Sequence, residues 1–118
     1  TGPYIQYTYA RAKSILRKAK RKGKGGKNST KDVGKEEIDI IKKLSQFPYI
    51  VKKCAAELKP NHLATYLFEL ATLFNSFYHA EKVIGSEKEA GLLSVVDAVS
   101  IVLKNGLNLL GINTLEKM

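Results

Sequence analysis

The sequence predicts an all-α fold, a five-helix bundle, and three observations carry that prediction. Apolar residues recur at three- and four-residue spacings in five separate segments. Proline stands only at positions 3, 48 and 60, each where a helix would begin. No strand is convincing, because the β-branched run SVVDAVSIV has apolar positions that fit a period of 3.6 better than 2.

The first helix is expected from Pro3 to about Lys22, with Thr1 able to cap it. Ile5, Tyr9, Ala12 and Leu16 make a narrow apolar stripe, and Tyr4, Tyr7, Arg11, Arg17 and Lys18 lie off it or at its margin. Tyrosines there suit stacking on bases and cations suit phosphates; a solvated basic face with packed tyrosine rings is the alternative. Residues 22–34, KGKGGKNSTKDVG, have neither helical nor strand period and are expected to form a flexible basic loop. Their glycines lack the spacing of a nucleotide-binding P-loop, and no apolar strand precedes them. A cationic strap is the better description.

The second helix, Glu36 to Phe47, is expected to turn Ile38, Ile41, Leu44 and Phe47 inward. Pro48 restarts the chain, and Tyr49 to Leu58 would bury Ile50, Val51, Cys54, Ala55 and Leu58. Pro60 opens the central helix. There Leu63, Tyr66, Leu67, Leu70, Phe74 and Phe77 fall on one face. Burying six such side chains is worth on the order of 10–18 kcal/mol as an upper bound. The end of that helix turns polar, with Asn75, Ser76, Tyr78 and His79, and is the first place to look for function. Ser86 and Glu89 read as a capping box for a last helix from Lys88 to about Leu110. Its core face is Leu92, Val96, Val99, Leu103, Leu107 and Leu110. Gly106 would admit a close neighbour, Gly111 would take the left-handed terminal position, and Ile112 would clasp beyond it.

Length and composition, 118 residues with 44% hydrophobic, fit a single domain, residues 1–118. One cysteine, Cys54, excludes an internal disulfide and reads as a small core residue in a reducing compartment. No apolar run approaches 18 residues, so no membrane span is expected. The chain opens on Thr1-Gly2-Pro3 without an initiator Met, so a piece of a longer protein is expected. The net charge of +9 is concentrated: residues 1–31 hold ten Lys/Arg and no acids, and the remainder is nearly balanced. That field attracts phosphates or anionic lipid.

Catalysis has little support. His62 and His79 sit at opposite ends of the central helix, more than about 20 Å apart at 1.5 Å per residue, and cannot share a metal. No HExxH, CxxC or GxSxG is present. Glu36, Glu37 and Asp39 read as a helix-start charge cluster rather than as a paired acid and base. With no catalytic or metal-binding residues to name, the chain reads as a binding module.

Three blocks then resemble a known family. TGPYIQYTYARAKSILRK, KPNHLATYLFELATLFNSFY and VLKNGLNLLGINTLEKM are similar, in that order, to the all-helical C-terminal (DALR-type) anticodon-binding domain of arginyl-tRNA synthetase, a class I aminoacyl-tRNA synthetase. Gly2, Pro3, Tyr4, Gln6, Tyr7, Ala10 and Arg11 match the first block. Leu67, Glu69, Leu70, Ala71, Phe74, Asn75, Phe77 and Tyr78 match the second, and Asn105, Gly106, Leu107, Leu109, Leu110, Gly111, Lys117 and Met118 the third. The resemblance implies binding of the anticodon arm of arginine tRNA, as one part of an ATP- and magnesium-dependent, cytoplasmic arginine–tRNA ligase. It implies anticodon contacts from Tyr78 and Met118, with Asn75 or His79 at the base edge and Tyr4, Tyr7 and Arg11 from the first helix. Arg17, Lys18, Lys20, Arg21 and Lys22 would meet the phosphate backbone. Its partners would be the tRNA and the catalytic domain of the same synthetase, with no membrane and no DNA.

Every arginine codon has G in the middle, so the middle anticodon base is C, whose amino group donates; a carboxylate, such as that of Met118, or a backbone carbonyl would be a fitting acceptor. The catalytic HIGH-type and KMSK-type sequences and the domain that reads the tRNA elbow are absent from these residues, so they are not expected to aminoacylate alone. Leu115 and Lys117 stand where the family often has Pro and Arg. Two other readings are a free-standing module that binds RNA or a synthetase partner, and a membrane-surface protein using the basic first helix, whose apolar stripe is thin for that purpose.

Overall fold

A computed structural model describes residues 1–22, 34–112 and 114. Its helices are α1 (Gly2–Arg21), α2 (Lys35–Ser45), α3 (Phe47–Glu57), α4 (Pro60–Ala80) and α5 (Glu89–Leu109), with no strand among the described residues. The all-α class is as expected. The count of five separate helices needs correction: α2 and α3 are divided by Gln46 alone, whose dihedrals are themselves helical. Pro48 lacks the N–H that would continue the ladder, so the pair is one interrupted rod and the bundle has four rods.

Every other helix packs against α4. Its six expected core residues, from Leu63 to Phe77, are all buried, and Ala71 joins them. Helices α1 and α4 run in the same direction, since Tyr4 meets Phe68 and Thr72, Thr8 meets Asn75, and Arg11 meets Tyr78. The α2–α3 rod runs the other way along α4, bringing Gly34 beside Glu81, Lys43 to Glu69 and Phe47 to Tyr66. Helix α5 is antiparallel to both α1 and α4, with Ile112 against Gly2 and Gly106 against Leu67. One end of the bundle therefore gathers the end of α1, the start of α2 and the end of α4.

Helix α5 closes as its sequence requires. Gly111 has φ +79°, and the Ile112 N–H donates to the Leu107 carbonyl at 2.9 Å. A Cβ on Gly106 would lie 2.5 Å from Leu67 Cδ2, so the close approach is real.

Several expectations are corrected. In α2 the buried row is Glu37 and Ile40, while Ile38 and Ile41 are exposed; the apolar arc is wider than the strip its neighbours cover. In α3 Cys54 is buried, but Ala55 and Leu58 are exposed. Leu58 is the C-cap at φ +55°, a left-handed conformation that swings its side chain outward. Thr1 holds the N-cap position without a side-chain cap bond. The capping box is also rearranged: Glu89 accepts from the Gly85 N–H at 2.8 Å and Ser86 Oγ accepts from the Lys88 N–H, while Lys88 is the N-cap. Finally, α5 is long and apolar enough, by length and composition, to cross a membrane, against the sequence expectation; here its Leu92, Val96, Val99, Leu103 and Leu107 face is buried in the bundle.

Two predictions follow from packing. Gly106→Ala gains about 1 kcal/mol of helix propensity but forces a methyl into the fully buried Leu67 side chain, and overpacking costs roughly 1–3 kcal/mol. Urea unfolding is expected to show net destabilisation, and the cost of Gly106→Ala should be smaller in a Leu67→Ala background than in the wild type. Burial pushes the Tyr66 hydroxyl up to about 12, while the same group donates to the Lys43 carbonyl at 2.5 Å. The unfolded chain loses this proton near the ordinary tyrosine value of 10.0 and the folded chain holds it to about 12, so Tyr66 stabilises fully below pH 10 and loses that contribution as pH rises through this window. The loss is about 2.7 kcal/mol at most. Tyr66→Phe should flatten the fall of melting temperature between pH 10 and 12.

Candidate nucleic-acid interface

Tyr4, Thr8 and Arg11 recur at i, i+4 and i+7 on α1, and Phe68, Thr72 and Asn75 do the same on α4. Because the two helices are parallel, these rows meet in register. Asn75 is the hub: Arg11 Nη1 donates to its Oδ1 at 2.6 Å, and its Nδ2 donates to the Tyr4 hydroxyl at 3.0 Å and to Thr8 Oγ1 at 3.1 Å. Thr8 passes its own proton to the Tyr4 carbonyl at 3.0 Å. The Tyr4 hydroxyl donates to Thr72 Oγ1 at 3.4 Å, and Thr72 donates to the Phe68 carbonyl at 3.0 Å.

This seam ends at an aromatic ring. The Arg11 guanidinium carbon lies 4.8 Å from the Tyr78 ring centroid, and His79 meets the same ring edge-on at 5.7 Å. Tyr78 remains 38% exposed on the last turn of α4. The site thus combines a partly open aromatic surface with a fixed cation, the two elements needed to hold an unstacked base and its phosphate.

Helix α1 continues beyond this point, carrying charge with it. At 100° per residue, Tyr7, Lys18 and Lys22 lie within about 40° of the Arg11 direction, whereas Lys20 lies on the opposite side and Arg17 and Arg21 fall between. Lys18, Lys20, Arg21 and Lys22 are exposed, and three of them sit in the last turn, where cations also favour the helix dipole. Tyr7 is exposed and stands one turn before Arg11.

The chain matches the family model described as DALR anticodon binding domain over residues 5–118. It is 44% identical over its whole length to an arginine–tRNA ligase of Archaeoglobus fulgidus and 43% identical to that of Clostridium acetobutylicum. Its fold is similar to that of Thermus thermophilus arginyl-tRNA synthetase, with a TM-score of 0.88 and 36% identity over 100% of this chain. The chain belongs to the DALR anticodon binding domain family. It spans 22%, 21% and 21% of the length of these three relatives.

Among the residues that the resemblance singles out in this DALR domain, the fold brings Tyr4, Arg11, Asn75, Tyr78 and His79 together. Tyr7 and the basic residues of α1 are near but outside the hydrogen-bonded seam. Met118 lies outside the described residues, and so does the basic loop except for its ends at Lys22 and Gly34. Thr8 and Thr72 were not anticipated; their signal is the polar residue one turn from Tyr4 and from Asn75. No group of His, Cys, Asp or Glu among the described residues is arranged to hold a metal.

Thr8 is 2% exposed and its hydroxyl takes one of the two Asn75 N–H bonds. Thr8→Val keeps the shape and removes that acceptor. An unsatisfied donor costs about 1–3 kcal/mol, so chemical denaturation should show destabilisation of that order.

Proposed function

We propose that this chain binds the anticodon arm of an arginine tRNA, as the C-terminal anticodon-binding domain of a longer, cytoplasmic arginine–tRNA ligase that uses ATP with magnesium. The observation that carries it is the Arg11 guanidinium held over the exposed Tyr78 ring at the tip of α4, in a chain of this family. A loop base taken out of its stack needs a flat apolar surface, and the phosphate beside it needs a cation held in place. Tyr78 supplies the surface, Arg11 the cation, and His79 and Tyr7 flank them.

The rest of the reading follows the shape of α1. Lys18 and Lys22 continue the Arg11 face away from the platform and are assigned to the phosphate backbone; Arg17, Arg21 and Lys20 complete the field. The C-terminal Met118, with its carboxylate, is assigned to the middle anticodon base through its exocyclic amino group. Residues 1–118 form one domain in this reading. The remaining four-fifths of the ligase would bring the catalytic machinery.

Binding should favour arginine tRNA over a transcript with a changed middle anticodon base. Tyr78→Ala should remove about 1–3 kcal/mol of stacking, or 5- to 150-fold in Kd, mostly from the arginine tRNA. Equal binding of wild type to both transcripts would refute the proposal. Lys18→Gln with Lys22→Gln should weaken both complexes alike and reduce the salt dependence by about one to two ions, and Lys20→Gln should do less.

A further inference from the structure

We infer that Asn75 is a positioning residue for the RNA site and not a reader of bases: it locks Arg11 onto the Tyr78 ring in the free protein. The inference rests on the directions of the hydrogen bonds. Thr72 gives its only hydroxyl proton to the Phe68 carbonyl, so toward Tyr4 it accepts. The Tyr4 hydroxyl therefore donates to Thr72 and must accept from Asn75. Thr8 likewise gives its proton to the Tyr4 carbonyl and must accept from Asn75. Both N–H bonds of the Asn75 amide are thereby committed, which leaves its oxygen facing α1.

An arginine side chain only donates, so that oxygen is the single end of the amide that Arg11 can use. The two chains of donors terminate on the backbone carbonyls of residues 4 and 68, one in each helix. The amide cannot be turned without leaving hydroxyls and N–H groups mismatched, so its orientation is fixed by both backbones. Arg11 inherits that orientation through a charge-assisted bond of 2.6 Å and is set 4.8 Å from the Tyr78 centroid. A cation held this way loses little freedom on meeting RNA, and its other N–H groups stay available for a phosphate. Asn75 has no donor left for a base, and its one remaining acceptor is the second lone pair of an oxygen already held by the Arg11 guanidinium.

Two measurements test this, and only the second depends on the proposed RNA binding. In the protein without RNA, the Arg11 side-chain protons should be shifted upfield by the Tyr78 ring in NMR spectra. Asn75→Ala should abolish the shift, as Tyr78→Leu does, while Asn75→Asp, which keeps an acceptor for Arg11, should retain it. An unchanged shift in Asn75→Ala, or its loss in a folded Asn75→Asp, would overturn the inference. In binding to arginine tRNA and to the transcript with a changed middle base, Arg11→Ala and Asn75→Ala should each weaken both complexes about tenfold, with the double variant within twofold of Arg11→Ala. Effects that multiply, or an Asn75→Ala that erases discrimination while Arg11→Ala preserves it, would make Asn75 a reader instead. Should wild type fail to distinguish the two transcripts, the RNA proposal falls and the proton shifts alone decide the role of Asn75.

Discussion

The burial of one face of α4 is the constraint on which the rest of the structure depends. Leu67, Leu70, Ala71, Phe74 and Phe77 are sealed from solvent, and α1, the α2–α3 rod and α5 each take a side of the same helix. Gly106 sharpens the constraint, because without a side chain there α5 comes close enough for Leu67 to fill the space a Cβ would need. Once α4 is surrounded, its direction and rotation are set. Its remaining flank, Phe68, Thr72, Asn75 and Tyr78, has one place to be, along α1. The polar seam is thus a consequence of the apolar core, and no separate device is needed to aim it.

How much of this could be read in the sequence depended on how many neighbours each helix has. Helix α4 is contacted by every other helix, so its apolar stripe and its buried face coincide and all six expected residues are inside. Helix α2 has a broad apolar arc of Ile38, Ile40, Ile41 and Leu44, and periodicity alone cannot say which edge of such an arc the partners cover. Here they cover Ile40 and leave Ile38 and Ile41 outside. The terminal glycine of α5 was legible because a left-handed residue at the end of a helix has few alternatives. Leu58 adopts the same conformation without being glycine, against its own preference, and could not be foreseen.

The candidate site divides along the same line. Tyr78, Arg11 and Tyr4 were named from their blocks, and the fold adds what a block cannot contain, namely that α1 and α4 are parallel and in register. An antiparallel pair would have set Tyr4, and not Arg11, against Tyr78. Asn75 shows the limit of assigning roles by residue type. An amide near an aromatic ring at a helix tip is a reasonable base reader until its bonds are counted: both donors are committed, and its oxygen is already bound to Arg11. Thr8 and Thr72 could be found only as the groups that receive them.

Placing the cation by a neutral amide has a physical advantage over placing it by a carboxylate. Aspartate would bind the guanidinium more strongly, but its charge would oppose a phosphate meeting the same guanidinium in the proposed complex. The amide supplies direction without cancelling charge, and the Tyr78 ring adds attraction from its face without adding a formal negative charge. Glu69 pairs with Lys43 on the α2 side of α4, away from this seam. The two groups that hold Arg11, the Asn75 amide oxygen and the Tyr78 ring, carry no formal charge, so its positive charge is not cancelled at the end of the bundle where α1 carries Lys18 and Lys22 past the tip of α4.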